Sequence, residues 1–103
     1  MTVRILPEAE SELFATVAWY EDHEEGVGLR FLAAYEKVLD TLQQRADSSA
    51  HWETESSDRD IRRLRLRRFP YLVIYELIAE SILVLAVAHT SRRPDYWIDR
   101  RVS

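Results

Sequence analysis

At Ile61 the period of this chain's apolar residues changes from helical to two, and that change limits the folds open to it. In IRRLRLRR (61–68), Leu64 and Leu66 point one way while Arg63, Arg65 and Arg67 point the other. The pattern predicts a strand with an apolar underside and a cationic upper side. Tyr71 to Leu77 (YLVIYEL) and Ile82 to Ala88 (ILVLAVA) are strongly β-prone, and the four residues Ile78 to Ser81 between them suit a hairpin. Phe69-Pro70 separates the first two of these strands, because proline has no N–H to give to a ladder.

Upstream of Ile61 the spacing is helical. Pro7 followed by Glu8, Glu10 and Glu12 opens a helix, with proline in the first turn and carboxylates near the positive end of the dipole. Ala9, Leu13, Val17 and Tyr20 recur on one face, and Gly26 and Gly28 are expected to stop the helix. A second apolar stripe, Phe31, Leu32, Tyr35, Val38, Leu39 and Leu42, keeps Arg30, Glu36, Lys37 and Asp40 off it. Val3 to Leu6 is a candidate first strand, expected at a sheet edge. Residues 47–60 read as a loop, with Trp52 expected to pin it to the body.

The predicted order is β-α-α-β-β-β over a single domain, residues 1–103. It is an α+β fold in which a helical hairpin packs on a small antiparallel sheet, because neither layer can bury its apolar side alone. Cysteine is absent, which excludes a disulfide framework, a thiolate metal site and a cysteine nucleophile. His23 and His51 have no ligand spacing between them, and there is no glycine-rich phosphate loop, so neither metal nor cofactor is expected. The opening MTVRILPEAE lacks an apolar h-region, and Ile82 to Ala88 is far too short to span a bilayer. The expectation is a soluble, cytoplasmic protein with no membrane contact.

The formal net charge of −4 conceals an asymmetry. Residues 1–57 hold 4 Arg/Lys against 12 Asp/Glu, a balance of −8, and residues 58–103 hold 10 Arg against 6 Asp/Glu, a balance of +4. An acidic half joined to an arginine-rich half can present two electrostatically different faces. Arginine is the side chain suited to phosphate and carboxylate forks.

Four blocks, PEAESELFATVAWYE, GVGLRFLAAYEKVLDTL, IRRLRLRRFPYLVIYEL and ILVLAVAHTSRRPDYW, occur in this order over nearly the whole chain. Together they resemble the RelE/ParE superfamily of type II toxin–antitoxin toxins. RRFPYLVIYEL, followed by a strand ending in histidine and a basic, tyrosine-containing tail, is the most specific piece. The two long helices and the FPY strand look more like the ParE-like branch. The resemblance implies a growth-inhibiting toxin neutralised by a cognate antitoxin in a hetero-oligomer. Its target would be DNA gyrase in ParE-like members, or messenger RNA in the ribosome in RelE-like ones.

Cleavage of RNA needs a base for the 2′-hydroxyl proton, an acid for the leaving 5′-oxygen and cations for the phosphate. The residues available for such chemistry are Arg65, Arg67, His89, Arg92 and Tyr96. RelE-like nucleases carry an arginine just after the tyrosine that matches Tyr71, and here that position is Leu72. A binding toxin would instead use exposed groups: Trp19, which lies off the first helix's apolar stripe, with Arg63, Arg65, Arg67 and Arg93. Three readings stay open on this basis: a gyrase-binding toxin, a ribosome-dependent endoribonuclease, and a non-toxic member that only binds an antitoxin-like partner.

Overall fold

The computed structural model describes residues 2–45, 50–51 and 58–101. Trp52 lies outside the described residues. Strand β1 (Thr2–Ile5) leads into helices α1 (Pro7–His23) and α2 (Val27–Arg45). Strands β2 (Ala50–His51), β3 (Asp60–Arg65), β4 (Tyr71–Ile78) and β5 (Ser81–His89) follow, so the expected α+β architecture is present. The sheet order is β1-β5-β4-β3-β2. The meander β3–β4–β5 is antiparallel as expected, whereas β1 joins β5 in parallel, with Thr2 opposite Ser81 and Ile5 opposite Val84. The sheet is therefore mixed. Alternation along a strand reports which face is buried but not the direction of an edge strand. The two-residue β2, opposite Arg62 and Arg63, adds a short edge inside a segment that reads as loop.

α1 starts with Pro7, and the Leu6 carbonyl accepts the Glu10 N–H at 3.0 Å. It ends at Glu24, and Gly26 takes the left-handed turn at φ 89°. Gly28 does not stop the helix. It is buried in the first turn of α2, where a Cβ would lie 2.5 Å from the Val17 carbonyl oxygen, so its bare backbone lets the two helices approach. α2 has no acidic residue in its own first turn. The Glu21 carboxylate supplies the missing anion by accepting the Gly26 and Gly28 N–H groups at 2.9 and 3.0 Å.

Both predicted stripes reach the core: Ala9 and Leu13 from α1, and Phe31, Tyr35, Val38 and Leu42 from α2, are buried. Tyr20, Phe31, Phe69 and Tyr71 form an aromatic cluster with centroids 5.0 to 6.3 Å apart, which ties the β3–β4 turn to the helices. The Tyr35 hydroxyl is buried and has no hydrogen-bond partner among the described residues, and burial pushes its pKa up to about 12, with Glu10 contributing. Tyr35→Phe should therefore stabilise the fold by about 1 kcal/mol, read as a higher urea midpoint at unchanged slope. A lower midpoint would show that the hydroxyl is satisfied in solution.

Seven consecutive residues of β5, Ile82 to Ala88, are buried. The helices cover one face of the sheet, and the C-terminal segment 95–101 covers the other. Trp97, 1 % exposed, lies in a small hollow with Leu72, Ile74 and Ala88. A strand covered on both sides reads as an unbroken apolar run, as this one does.

Candidate functional site

Two ion pairs hold the C-terminal segment against the sheet. Arg59 is buried, and its Nε and Nη2 donate to both oxygens of the buried Glu76 carboxylate at 3.2 and 2.9 Å. The same guanidinium donates to the Ile98 and Arg100 carbonyls at 2.5 and 3.1 Å. At the opposite edge, β1 ends beside Val84, which leaves the outer backbone groups of β5 beyond it without a strand partner among the described residues. Glu12 of α1 accepts the Val87 N–H at 3.1 Å, and Arg100 donates to the Leu85 carbonyl at 3.0 Å. Arg100 also grips the Glu12 carboxylate with two nitrogens, at 2.8 and 3.2 Å, and the Tyr96 hydroxyl donates to it at 2.5 Å. One carboxylate thus stands in for the missing strand and binds the tail. The sequence carries little sign of either pair beyond the lone charge of Glu76 in an apolar strand.

The pleat separates the candidate residues. Tyr71 packs on Phe31 and Tyr20 of the helical layer, and its register partner His89 stacks edge-on against it, centroids 5.1 Å apart. Arg65 pairs with Leu72, and Leu72 pairs with Ala88, a row that projects to the tail-covered face. Arg63 lies in the next row, opposite Ile74. Arg63 and Arg65 are exposed, flanking the tail on a face that it largely covers. Arg67 does not share that face. β3 stops at Arg65, the Leu66 N–H closes on the Tyr71 carbonyl at 3.0 Å, and Arg67 turns toward α2. The expected three-arginine face is thereby corrected to two, because the reversal of the chain interrupts the alternation.

His89 is exposed at the end of β5, and its Nδ1 accepts the Ser91 N–H at 3.0 Å, with the Ser91 hydroxyl at 2.7 Å. In the neutral ring this places the proton on Nε2. The Tyr96 hydroxyl donates its hydrogen bond to Glu12, and burial together with that hydrogen bond raises its pKa well above the ordinary tyrosine value. Arg92 lies over the Tyr96 ring at 4.0 Å, and Arg93 is exposed nearby. Trp19 is 54 % exposed, as expected, and stacks on His23 with centroids 3.9 Å apart. Phe14, 56 % exposed, and Trp19 give the outer side of α1 apolar groups as well. Among the described residues no cluster of three His, Asp or Glu could hold a metal, and no helix is long and apolar enough to cross a membrane.

Residues 3–94 match the family model described as ParE toxin of type II toxin–antitoxin system, parDE, and the chain belongs to that family. The structure is similar to a chain from a chromosomal ParDE toxin–antitoxin system of P. aeruginosa. The TM-score is 0.72 at 21 % identity, over 86 % of this chain and 95 % of that one. None of the curated proteins matches it.

Proposed function

We propose that this chain acts as a growth-inhibiting toxin in the cytoplasm, held inactive in a hetero-oligomer with a cognate antitoxin, and that it inhibits DNA gyrase by binding it. The observation that carries the choice of binding over RNA cleavage is the composition of the β4–β5 strand ends. Leu72 stands where the resemblance to RelE-like nucleases would place an arginine, a loss worth on the order of 3 kcal/mol in the transition state. The Tyr96 hydroxyl is engaged as a donor to Glu12, and the one lone pair with which neutral His89 could act as a base is directed at the Ser91 amide. Arg65 and Arg67, two members of the candidate catalytic set, diverge to opposite sides of the sheet. What is left is a set of exposed groups suited to gripping a protein: Trp19, Arg63, Arg65, Arg67 and Arg93.

Purified toxin should block gyrase supercoiling at micromolar concentration and leave ribosome-bound messages intact. No block of supercoiling, together with cleavage that His89→Ala abolishes, would replace this reading with the endoribonuclease one. Growth unaffected by overexpression would point to a member that only binds its partner. Reversing charge at Arg65 and Arg67 together should weaken the antitoxin complex at least tenfold, measured by titration calorimetry. An unchanged affinity would remove these arginines from the antitoxin interface.

A further inference from the structure

Helix α1 turns an uncharged face to solvent. At about 100° per residue, Ser11, Phe14, Ala15, Ala18 and Trp19 fall within an arc of about 140°, opposite the buried Ala9 and Leu13. All five are exposed, and more than half of Phe14 and of Trp19 is open to solvent. The two carboxylates nearest this arc are turned away from it. Glu12 reaches Val87 and Arg100, and Glu21 reaches the Gly26 and Gly28 N–H groups. A single exposed aromatic residue is ordinary, whereas a contiguous apolar strip marks a contact surface. The Trp19 ring is also steadied without being covered: it stacks on His23 at 3.9 Å and meets the edge of Tyr20 at 5.1 Å. An aromatic group already fixed in place loses little freedom on binding.

The ends of the strip are acidic. From Ile5 to Leu29 the chain has seven acidic residues and neither lysine nor arginine. Exposed Glu8 and Glu10 precede the strip, exposed Asp22, Glu24 and Glu25 follow it, and none of the five is in an ion pair among the described residues. Glu8 and Asp22 are about 21 Å apart along the helix axis at 1.5 Å per residue.

We propose that this face of α1 docks a basic, amphipathic helical segment of a partner protein, with apolar side chains over Phe14, Ala15, Ala18 and Trp19 and lysines or arginines at both ends. The proposal rests on the reading of this chain as one that grips other proteins, and it names the chemistry of what meets Trp19. The small Ala15 and Ala18 between two large rings leave a hollow into which side chains of a second helix can fit. The charge selects the occupant. A nucleic-acid backbone or an acidic segment would meet carboxylates at both ends. A second α1 would bring its own Asp22 and Glu24 to Glu8 and Glu10, with no cation between them. Arg63 and Arg65 lie on the tail-covered side of the sheet, so the two sides of the protein suit segments of opposite charge.

The test uses a fluorescein-labelled helical peptide of about 18 residues, with leucines over its middle two turns and lysines at both ends. A second peptide has the same composition with lysines in the middle and leucines at the ends. Anisotropy should show binding of the first with a Kd on the order of 10–100 µM, as suits one helix face, weakening as salt is added. The second should bind at least tenfold more weakly. Phe14→Ser with Trp19→Ser should weaken the first peptide at least tenfold at an unchanged urea midpoint, since both side chains are exposed. Glu10→Lys with Asp22→Lys should do the same, and Trp19→Phe should retain most of the binding. Equal binding of the two peptides, or indifference to either pair of substitutions, would overturn the proposal. So would a dimer in sedimentation velocity that Trp19→Ser dissolves, because a second copy would then cover the face. Displacement of the peptide by the cognate antitoxin would likewise give the face to the antitoxin. Gyrase supercoiling separates the two levels. Failure of the peptide with the gyrase block intact overturns this docking face alone, and peptide binding without a gyrase block overturns the choice of target and leaves the face standing.

Discussion

Arg59→Met is expected to destabilise the fold by about 3–5 kcal/mol, the range for removing one partner of a buried ion pair. Arg59 and Glu76 are both buried, so the substitution leaves a carboxylate in the interior without its counter-ion. It also removes the donor for two carbonyls of the tail, those of Ile98 and Arg100. The loss would be read from the urea midpoint. Adding Glu76→Gln to Arg59→Met should recover part of it, because a neutral amide is far less penalised than an unpaired carboxylate. The recovery should be incomplete, since the two carbonyls still lack their donor. A loss below about 1 kcal/mol, within the range of exposed pairs, would mean that solvent reaches this pair and that the tail is not sealed against the sheet.

Glu12→Ala should cost about 3 kcal/mol, because one carboxylate serves a backbone amide, a phenol and a guanidinium at once. The side chains of Glu12 and Arg100 are 16 % and 18 % exposed, which places the expected loss below that for Arg59. Hydrogen exchange at the Val87 amide should quicken with it, since among the described residues that N–H has no neighbouring strand to pair with. The effects of Glu12→Ala and Arg100→Ala should not add, and the double variant should be little worse than either single one. Simple additivity, with the Val87 amide as protected as before, would show that the tail is held by Trp97 packing alone. The same variants bear on function. If Tyr96 serves the fold through Glu12, Tyr96→Phe should shift stability modestly and leave toxicity in place.

The helices and the meander were legible because their periods are unmixed. The stripe from Phe31 to Leu42 and the alternation from Arg63 to Leu66 each match one element and one buried face. The exposure of Trp19 followed from helical angle alone. Gly28 lies inside α2 and does not stop α1, because a glycine's spacing does not say whether it ends a helix or lets another one in. Alternation groups Arg67 with Arg63 and Arg65, but it holds only as far as the ladder, which stops at Arg65. The unbroken apolar run Ile82 to Ala88 did carry a sign that the far face of the sheet is covered, yet nothing local identified residues 95–101 as the cover.

Local pattern thus determined the elements, their inward faces and the arginine-rich strand, because burial imposes a period on each segment separately. Tertiary structure decided the parallel seat of β1, the lid formed by the tail and the partners of Glu12 and Arg59. It also decided the meeting of Arg30 and Lys37 with Arg67 and Arg68. Arg59 and Glu76 lie 17 positions apart, and Glu12 and Arg100 lie 88 apart. Charge complementarity between such distant side chains has no period, and it becomes readable only when packing brings them within a few ångströms.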